Sequence, residues 1–210
     1  MEMLVNLGSQ SKEEKREFVR SEIEQRGIYR VAPNNRSLPG KGAGTRYTWQ
    51  FYLRRCMFDP KFVFTAAELL IDKLADTNIQ IGACEDAGVP LGLAMSTILD
   101  TPMISIKKSR KAYGLLNFTE GRLVDKPILL VDDLAGSQRT LKVAVSVLQA
   151  FKLPLCNEYA AIVDKTTGTH AVNYLHDKKL VSLFTCEDFA MSWTAYVEKF
   201  NKEPVFGRFY

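Results

Sequence analysis

The stretch Ile128-Leu129-Leu130-Val131-Asp132-Asp133-Leu134-Ala135-Gly136-Ser137-Gln138-Arg139-Thr140-Leu141 decides the fold. Four consecutive apolar residues predict a strand covered on both faces, as in parallel sheets. Two acids stand at its carboxyl end, and a loop of small and polar residues follows. A helix then begins at Arg139, with Leu141, Ala144, Val145, Leu148 and Phe151 on one stripe. In open α/β sheets, ligands bind outside the carboxyl ends of the strands. A helix N-terminus after such a loop offers backbone N–H groups and the positive end of its dipole to a phosphate. The hydroxyls of Ser137 and Thr140 and the Arg139 guanidinium add donors, and Gly136 and Gln138 add backbone amides. Asp132 and Asp133 accept hydrogen bonds, which suits a vicinal diol or a metal-bound water.

The surrounding chain repeats the pattern. Short apolar runs at residues 79–82, 103–106, 159–163 and 181–184 alternate with helical patterns at 88–99 and 139–151. Apolar strands separated by helices predict an α/β fold with a mostly parallel sheet flanked by helices. Upstream, residues 11–26 predict a helix with a Ser11/Glu14 capping box and Phe18, Val19 and Ile23 on one stripe. Residues 33–46 are a Gly/Pro/Asn-rich loop. Residues 47–57 are aromatic and mixed, and are read as a strand. Asp59-Pro60 opens another helix, with Val63, Ala66, Ala67, Leu70 and Leu74 inward. Thr185 and Asp188 form a further capping pattern before an aromatic helix carrying Phe189, Trp193, Tyr196 and Phe200. The expected organisation of residues 1–210 is one domain: a small N-terminal cap over 1–58, an α/β core over 59–190, and a C-terminal helix and tail over 191–210.

Composition bounds the reading. The 210 residues are 46% hydrophobic and 25% charged, ordinary for a globular domain and unlike disordered or low-complexity chains. A net charge of +4 falls short of a dedicated nucleic-acid binder but suits a small anionic ligand. The first residues lack the apolar run of a signal peptide, and no stretch reaches the ~18 apolar residues of a membrane helix. Cys56, Cys84, Cys156 and Cys186 form no C-x-x-C pair, and His170 and His176 lie at no familiar ligand spacing. Reduced, mostly buried thiols in a cytoplasmic protein are expected.

Three other readings of residues 128–141 compete. A nucleoside-triphosphatase strand also ends in acids, but needs G-x-x-x-x-G-K-[ST] elsewhere, and Gly40-Lys41-Gly42 fails that pattern. A receiver domain places its acidic pair near its start, yet only 77 residues follow Asp133. Acids that merely cap a helix are the third.

The segment resembles the phosphoribosyl pyrophosphate (PRPP) signature of type I phosphoribosyltransferases. Asp132, Asp133, Ser137 and Thr140 match, while Gly136 stands where the family usually has Ser or Thr and Gln138 where it usually has Gly. Residues 107–114, Lys-Lys-Ser-Arg-Lys-Ala-Tyr-Gly, resemble the mobile catalytic loop of the orotate phosphoribosyltransferases, with Lys107, Lys108 and Lys111 at basic positions and Tyr113 in place of a His. Residues 82–91, with Ala87-Gly88-Val89-Pro90, resemble the family's diphosphate loop. Glu85 and Asp86 precede that match and would act through Mg²⁺ or its waters. Leu53-Arg54 matches the end of an aromatic strand where Tyr52 replaces an Asp. Residues 161–168 resemble the base-holding strand, with Lys165 in place of an Arg. The resemblance covers roughly residues 15–190.

The resemblance implies transfer of a phosphoribosyl group from PRPP to a nitrogen base, orotate or a related pyrimidine, with release of diphosphate. Lys108, Lys111 and Tyr113 are the implied catalytic residues. Mg²⁺ is the implied cofactor, carried by PRPP and waters without a direct protein ligand. Trp49, Lys41 and Lys165 are candidates for the base. A homodimer sharing the basic loop across subunits is implied. A binding module that senses PRPP or a nucleotide without chemistry is the alternative. Lys107, Lys108, Arg110 and Lys111 carry the whole net charge, since the rest holds 24 cations and 24 acids.

Overall fold

The structure, a computed structural model, describes residues 10–30, 38–39, 46–47, 49–107, 118–136, 139–165 and 177–190. Helix α1 (Lys12–Glu22) starts at the expected capping box. The Glu14 amide donates to Ser11 Oγ, and the Glu14 carboxylate accepts from the Ser11 amide. Hydrogen bonds donated by the Ser11 amide and hydroxyl hold the Glu14 carboxyl below its ordinary value. The helix runs into a wider π turn (Ile23–Gly27), and Val19 and Ile23 are buried. Strand β1 (Ile28–Arg30) follows, and a second small pair joins β2 (Leu38–Pro39) to β3 (Arg46–Tyr47). β4 (Trp49–Phe51) pairs antiparallel with β1.

Here the structure corrects the strand expected over residues 47–57. Tyr47 ends β3 and Trp49–Phe51 forms β4, and the chain then turns into the short helix α2 (Arg54–Met57). Leu53, Cys56 and Met57 are all buried, and a helical turn brings residues three and four apart to the same side. Helix α3 (Pro60–Ile71) begins as predicted, with Asp59 Oδ1 accepting from the amides of Lys61 and Phe62 and Pro60 in the first turn.

The main sheet has six strands in the order β10-β9-β8-β5-β6-β7, comprising β5 (Gln80–Cys84), β6 (Met103–Ile106), β7 (Thr119–Gly121), β8 (Ile128–Ala135), β9 (Leu155–Asp164) and β10 (Lys179–Thr185). All neighbours are parallel except β6 and β7. Helix α4 (Gly88–Ile98) joins β5 to β6, and α5 (Arg139–Ala150) joins β8 to β9. Two apolar cores result. One face packs Ile81, Ala83, Leu129 and Val131 against α1, α3 and α4. The opposite face packs Ile128 and Leu130 with Leu141, Ala144 and Leu148 of α5. The alternation of Ile128/Leu130 against Leu129/Val131 is the two-residue strand period, with both faces dry. No helix among the described residues is long and apolar enough to cross a membrane.

Two further corrections arise. β7 is absent from the sequence-based expectation: Thr-Glu-Gly has no apolar alternation and is held as an edge strand by backbone pairing. Phe151, expected on the buried stripe of α5, is 58% exposed. The helix stops at Ala150 and Lys152 takes φ 55°, so the chain leaves the stripe at Phe151. The Thr185 amide and hydroxyl donate to Asp188 Oδ2, but the following turn has Cys186 at its N-cap and no side-chain capping bond. A single 3-10 turn (Glu187–Phe189) follows, and the aromatic helix expected beyond it lies outside the described residues.

Candidate active site

The strand pairing itself opens a crevice. β8 pairs with β5 only as far as Ala83↔Val131, but with β9 as far as Ala135↔Asp164. From Asp132 onward β8 therefore has no strand partner on its β5 side, and the first turn of α4 lies against it there. There the chain leaves β5 through the turn Glu85-Asp86-Ala87 into α4, while β5 sends its connection to β6 and β8 sends its own to β9. Such a reversal of direction is where open α/β sheets bind ligands. Uninterrupted apolarity predicts a strand that ends before Asp132 and Asp133. In the structure both acids lie within β8, which runs to Ala135 because β9 still supplies hydrogen bonds.

Asp132 is half-buried and Asp133 is 8% exposed. The Asp133 amide donates to Asp132 Oδ1 at 2.9 Å. Burial pushes the Asp133 carboxyl above its ordinary value, against hydrogen bonding with Asp132 and the Leu134 amide and the charge of Arg54. The adjoining turn is acidic too. The Glu85 amide donates to the Ile106 carbonyl at 2.9 Å, and Glu85 Oε1 accepts from Ser105 Oγ at 2.9 Å. Asp86 is exposed, with its Oδ2 3.5 Å from Arg54 Nη2. The Glu85–Asp86 peptide is cis. Gly88 is buried at the start of α4, directly against the backbone of β8. Gly136 follows β8, and a Cβ added there would meet nothing within 4 Å, so the loop has room beside it. Thr140 is half-buried in the first turn of α5.

No family model matches the chain. An orotate phosphoribosyltransferase of Halobacterium salinarum is 27% identical over 144 residues, spanning 67% of this chain and 81% of that protein. The crystal structure of orotate phosphoribosyltransferase from Aeropyrum pernix matches with a TM-score of 0.64 at 20% identity, covering 81% of this chain and 96% of that one. The Mycobacterium tuberculosis orotate phosphoribosyltransferase in complex with PRPP matches with a TM-score of 0.59 at 16% identity, covering 83% of this chain and 91% of that one. The chain has the type I phosphoribosyltransferase fold.

Within this phosphoribosyltransferase frame, β8 and the turn after β5 bring together Asp132, Asp133, Glu85, Asp86, Ala87 and Gly88. Lys165 continues β9 at the same edge. Its amide donates to the Ala135 carbonyl at 2.8 Å, and its ammonium lies 5.8 Å from the Phe51 ring centre. Two expected residues are buried. Trp49 is 5% exposed and packs edge-on against Phe51, with ring centres 5.3 Å apart, so it is part of the core. Lys107 is 4% exposed and its ammonium contacts Glu120, while its amide donates to the Phe118 carbonyl at 2.8 Å. That cation closes the stem between β6 and β7. Lys41, Lys108, Lys111, Tyr113, Ser137 and Gln138 lie outside the described residues, as does the side chain of Arg139.

Arg54 adjoins this turn and is not among the site residues read from the sequence. It is legible only as part of a Leu-Arg match, and its approach to Asp86 is a tertiary relation between α2 and the turn after β5. Among the described residues, no group of three or more His, Cys, Asp or Glu side chains is placed to hold a metal ion. The oxygen donors at the edge are nevertheless of the kind Mg²⁺ prefers, in the manner of an ion that keeps its waters and arrives with phosphates.

Proposed function

We propose that the chain transfers the phosphoribosyl group of PRPP to a nitrogen base, orotate or a related pyrimidine, and releases diphosphate. The observation that carries this reading is the edge of β8 beyond its pairing with β5. It presents two adjacent carboxylates beside a helix N-terminus and a small-residue loop, in a fold shared with a PRPP complex. The Asp132 and Asp133 carboxylates accept from the ribose 2- and 3-hydroxyls. The 5-phosphate lies on the amides of residues 136–140 at the start of α5, aided by the Ser137 and Thr140 hydroxyls and Arg139. Diphosphate lies along Glu85, Asp86, Ala87 and Gly88 at the start of α4. Glu85 and Asp86 would hold Mg²⁺ through its waters, and the ion would supply positive charge to the diphosphate oxygens.

The base attacks the ribose C1 carbon as the bond to diphosphate breaks, through an oxocarbenium-like transition state, as in glycosidic chemistry. Side chains contribute position and charge stabilisation. Lys108 and Lys111 neutralise the departing diphosphate, and Tyr113 donates a hydrogen bond where the family has an imidazole. Lys165 and Lys41 face the carboxylate or carbonyl groups of the base. The protein acts as a homodimer, with each basic loop serving the neighbouring site. Its four free thiols suit a reducing, cytoplasmic compartment.

The test is PRPP binding by calorimetry in the presence of Mg²⁺, with wild type and Asp132→Asn/Asp133→Asn. Saturable binding that the double variant loses supports the reading. Equal binding by both proteins contradicts it.

A further inference from the structure

We propose that Arg54 is a positioning residue that admits a polyanion to the acidic turn after β5 by offsetting the charge of Asp86. The inference rests on the PRPP reading above and adds to it a residue from the N-terminal cap. The turn Glu85-Asp86-Ala87 borders the crevice, yet it opens with two carboxylates that oppose an incoming diphosphate. The structure treats them differently. Glu85 is turned back into the sheet by the Ile106 carbonyl and the Ser105 hydroxyl. Asp86 stays exposed, and Arg54 Nη2 stands 3.5 Å from its Oδ2.

Arg54 reaches this place because α2 is a helix and not the expected strand. Leu53, Cys56 and Met57 are buried and fix the turn, and Arg54 points outward from it. The side chain is about half exposed, so the pair contributes little to fold stability. Its effect falls on the ligand. Asp132 and Asp133 already place negative charge at the same edge, and Asp86 adds more. At the separations of a loop around a phosphate, one uncompensated unit charge changes affinity by roughly tenfold in a medium between protein and water.

The test is the PRPP dependence of diphosphate release for wild type, Arg54→Gln, Arg54→Lys, Asp86→Asn and the double variant Arg54→Gln/Asp86→Asn. Arg54→Gln is expected to raise KM for PRPP about tenfold with kcat within about twofold, because charge is lost and the reacting atoms are untouched. Arg54→Lys keeps the charge and stays near wild type. Removing the Asp86 charge in the Arg54→Gln background is expected to lower KM below that of Arg54→Gln alone, since the charge that Arg54 offsets is then gone. Calorimetric titration with inorganic pyrophosphate and Mg²⁺ follows the same order. An unchanged KM in Arg54→Gln overturns the inference. So does a double variant as impaired as Arg54→Gln, which makes Arg54 a direct ligand. Wild-type protein that neither binds PRPP nor releases diphosphate overturns the function reading itself, before any variant is compared.

Discussion

Gly88 and Asp132 meet backbone to backbone: a Cβ on Gly88 would lie 3.1 Å from the Asp132 Cα and 2.7 Å from the Val131 carbonyl oxygen. The first turn of α4 is thus pressed onto β8 at the residue where β8 loses its β5 neighbour. Any side chain at 88 pushes the turn after β5 away from Asp132. Gly88→Ala is expected to cost about 1–3 kcal/mol, as overpacking against unyielding backbone does, and to raise KM for PRPP. Denaturant unfolding and PRPP titration check it. Stability within about 0.5 kcal/mol of wild type contradicts it.

Asp133 shows the cost of burying a carboxylate. Burial raises its folded-state value above the ordinary 3.8. Between the two values the folded protein binds more protons than the unfolded one. Stability therefore falls as pH rises through that window, and the deficit is complete above the folded value. Asp133→Asn removes the charge and is expected to raise Tm at pH 7 by about 2–4 °C while abolishing PRPP binding. The gain in Tm disappears as pH is lowered toward 4. A lower Tm at pH 7 contradicts the assignment.

Gly136 stands where the related signature usually has a hydroxyl residue, and a side chain there meets nothing within 4 Å. Gly136→Ser is expected to leave Tm within about 2 °C and to lower KM for PRPP about two- to fivefold by adding one phosphate donor. A raised KM would show that the loop uses bare backbone at this position.

Lys107 and Lys111 belong to one basic run and are expected to act differently. The Lys107 ammonium contacts Glu120 across the β6–β7 stem. Lys107→Met is expected to change KM for PRPP less than about threefold and to lower stability by about 1 kcal/mol. Lys111→Ala is expected to cut the single-turnover rate by roughly a hundredfold with PRPP binding little changed. Equal single-turnover rates in Lys111→Ala and wild type remove the basic loop from the chemistry.

Much of this arrangement is legible in the sequence because it is written locally. Ser11 with Glu14 and Asp59 with Pro60 name helix starts through their own hydrogen bonds. Ile128 to Val131 name a buried strand through uninterrupted apolarity. What escapes depends on partners distant in the chain. β8 continues through two acids because β9 pairs with it to Ala135. β7 exists because β6 offers an edge, and Trp49 is buried because Phe51 packs against it. The Arg54–Asp86 pair joins residues that no spacing rule connects.

The central claim is chemical, and one measurement reaches it: diphosphate release from PRPP and Mg²⁺ across a panel of nitrogen bases, with wild-type protein. The account predicts release that depends on the base and is greatest with orotate or a related pyrimidine. Saturable PRPP binding with no release for any base contradicts it and makes the chain a binding module.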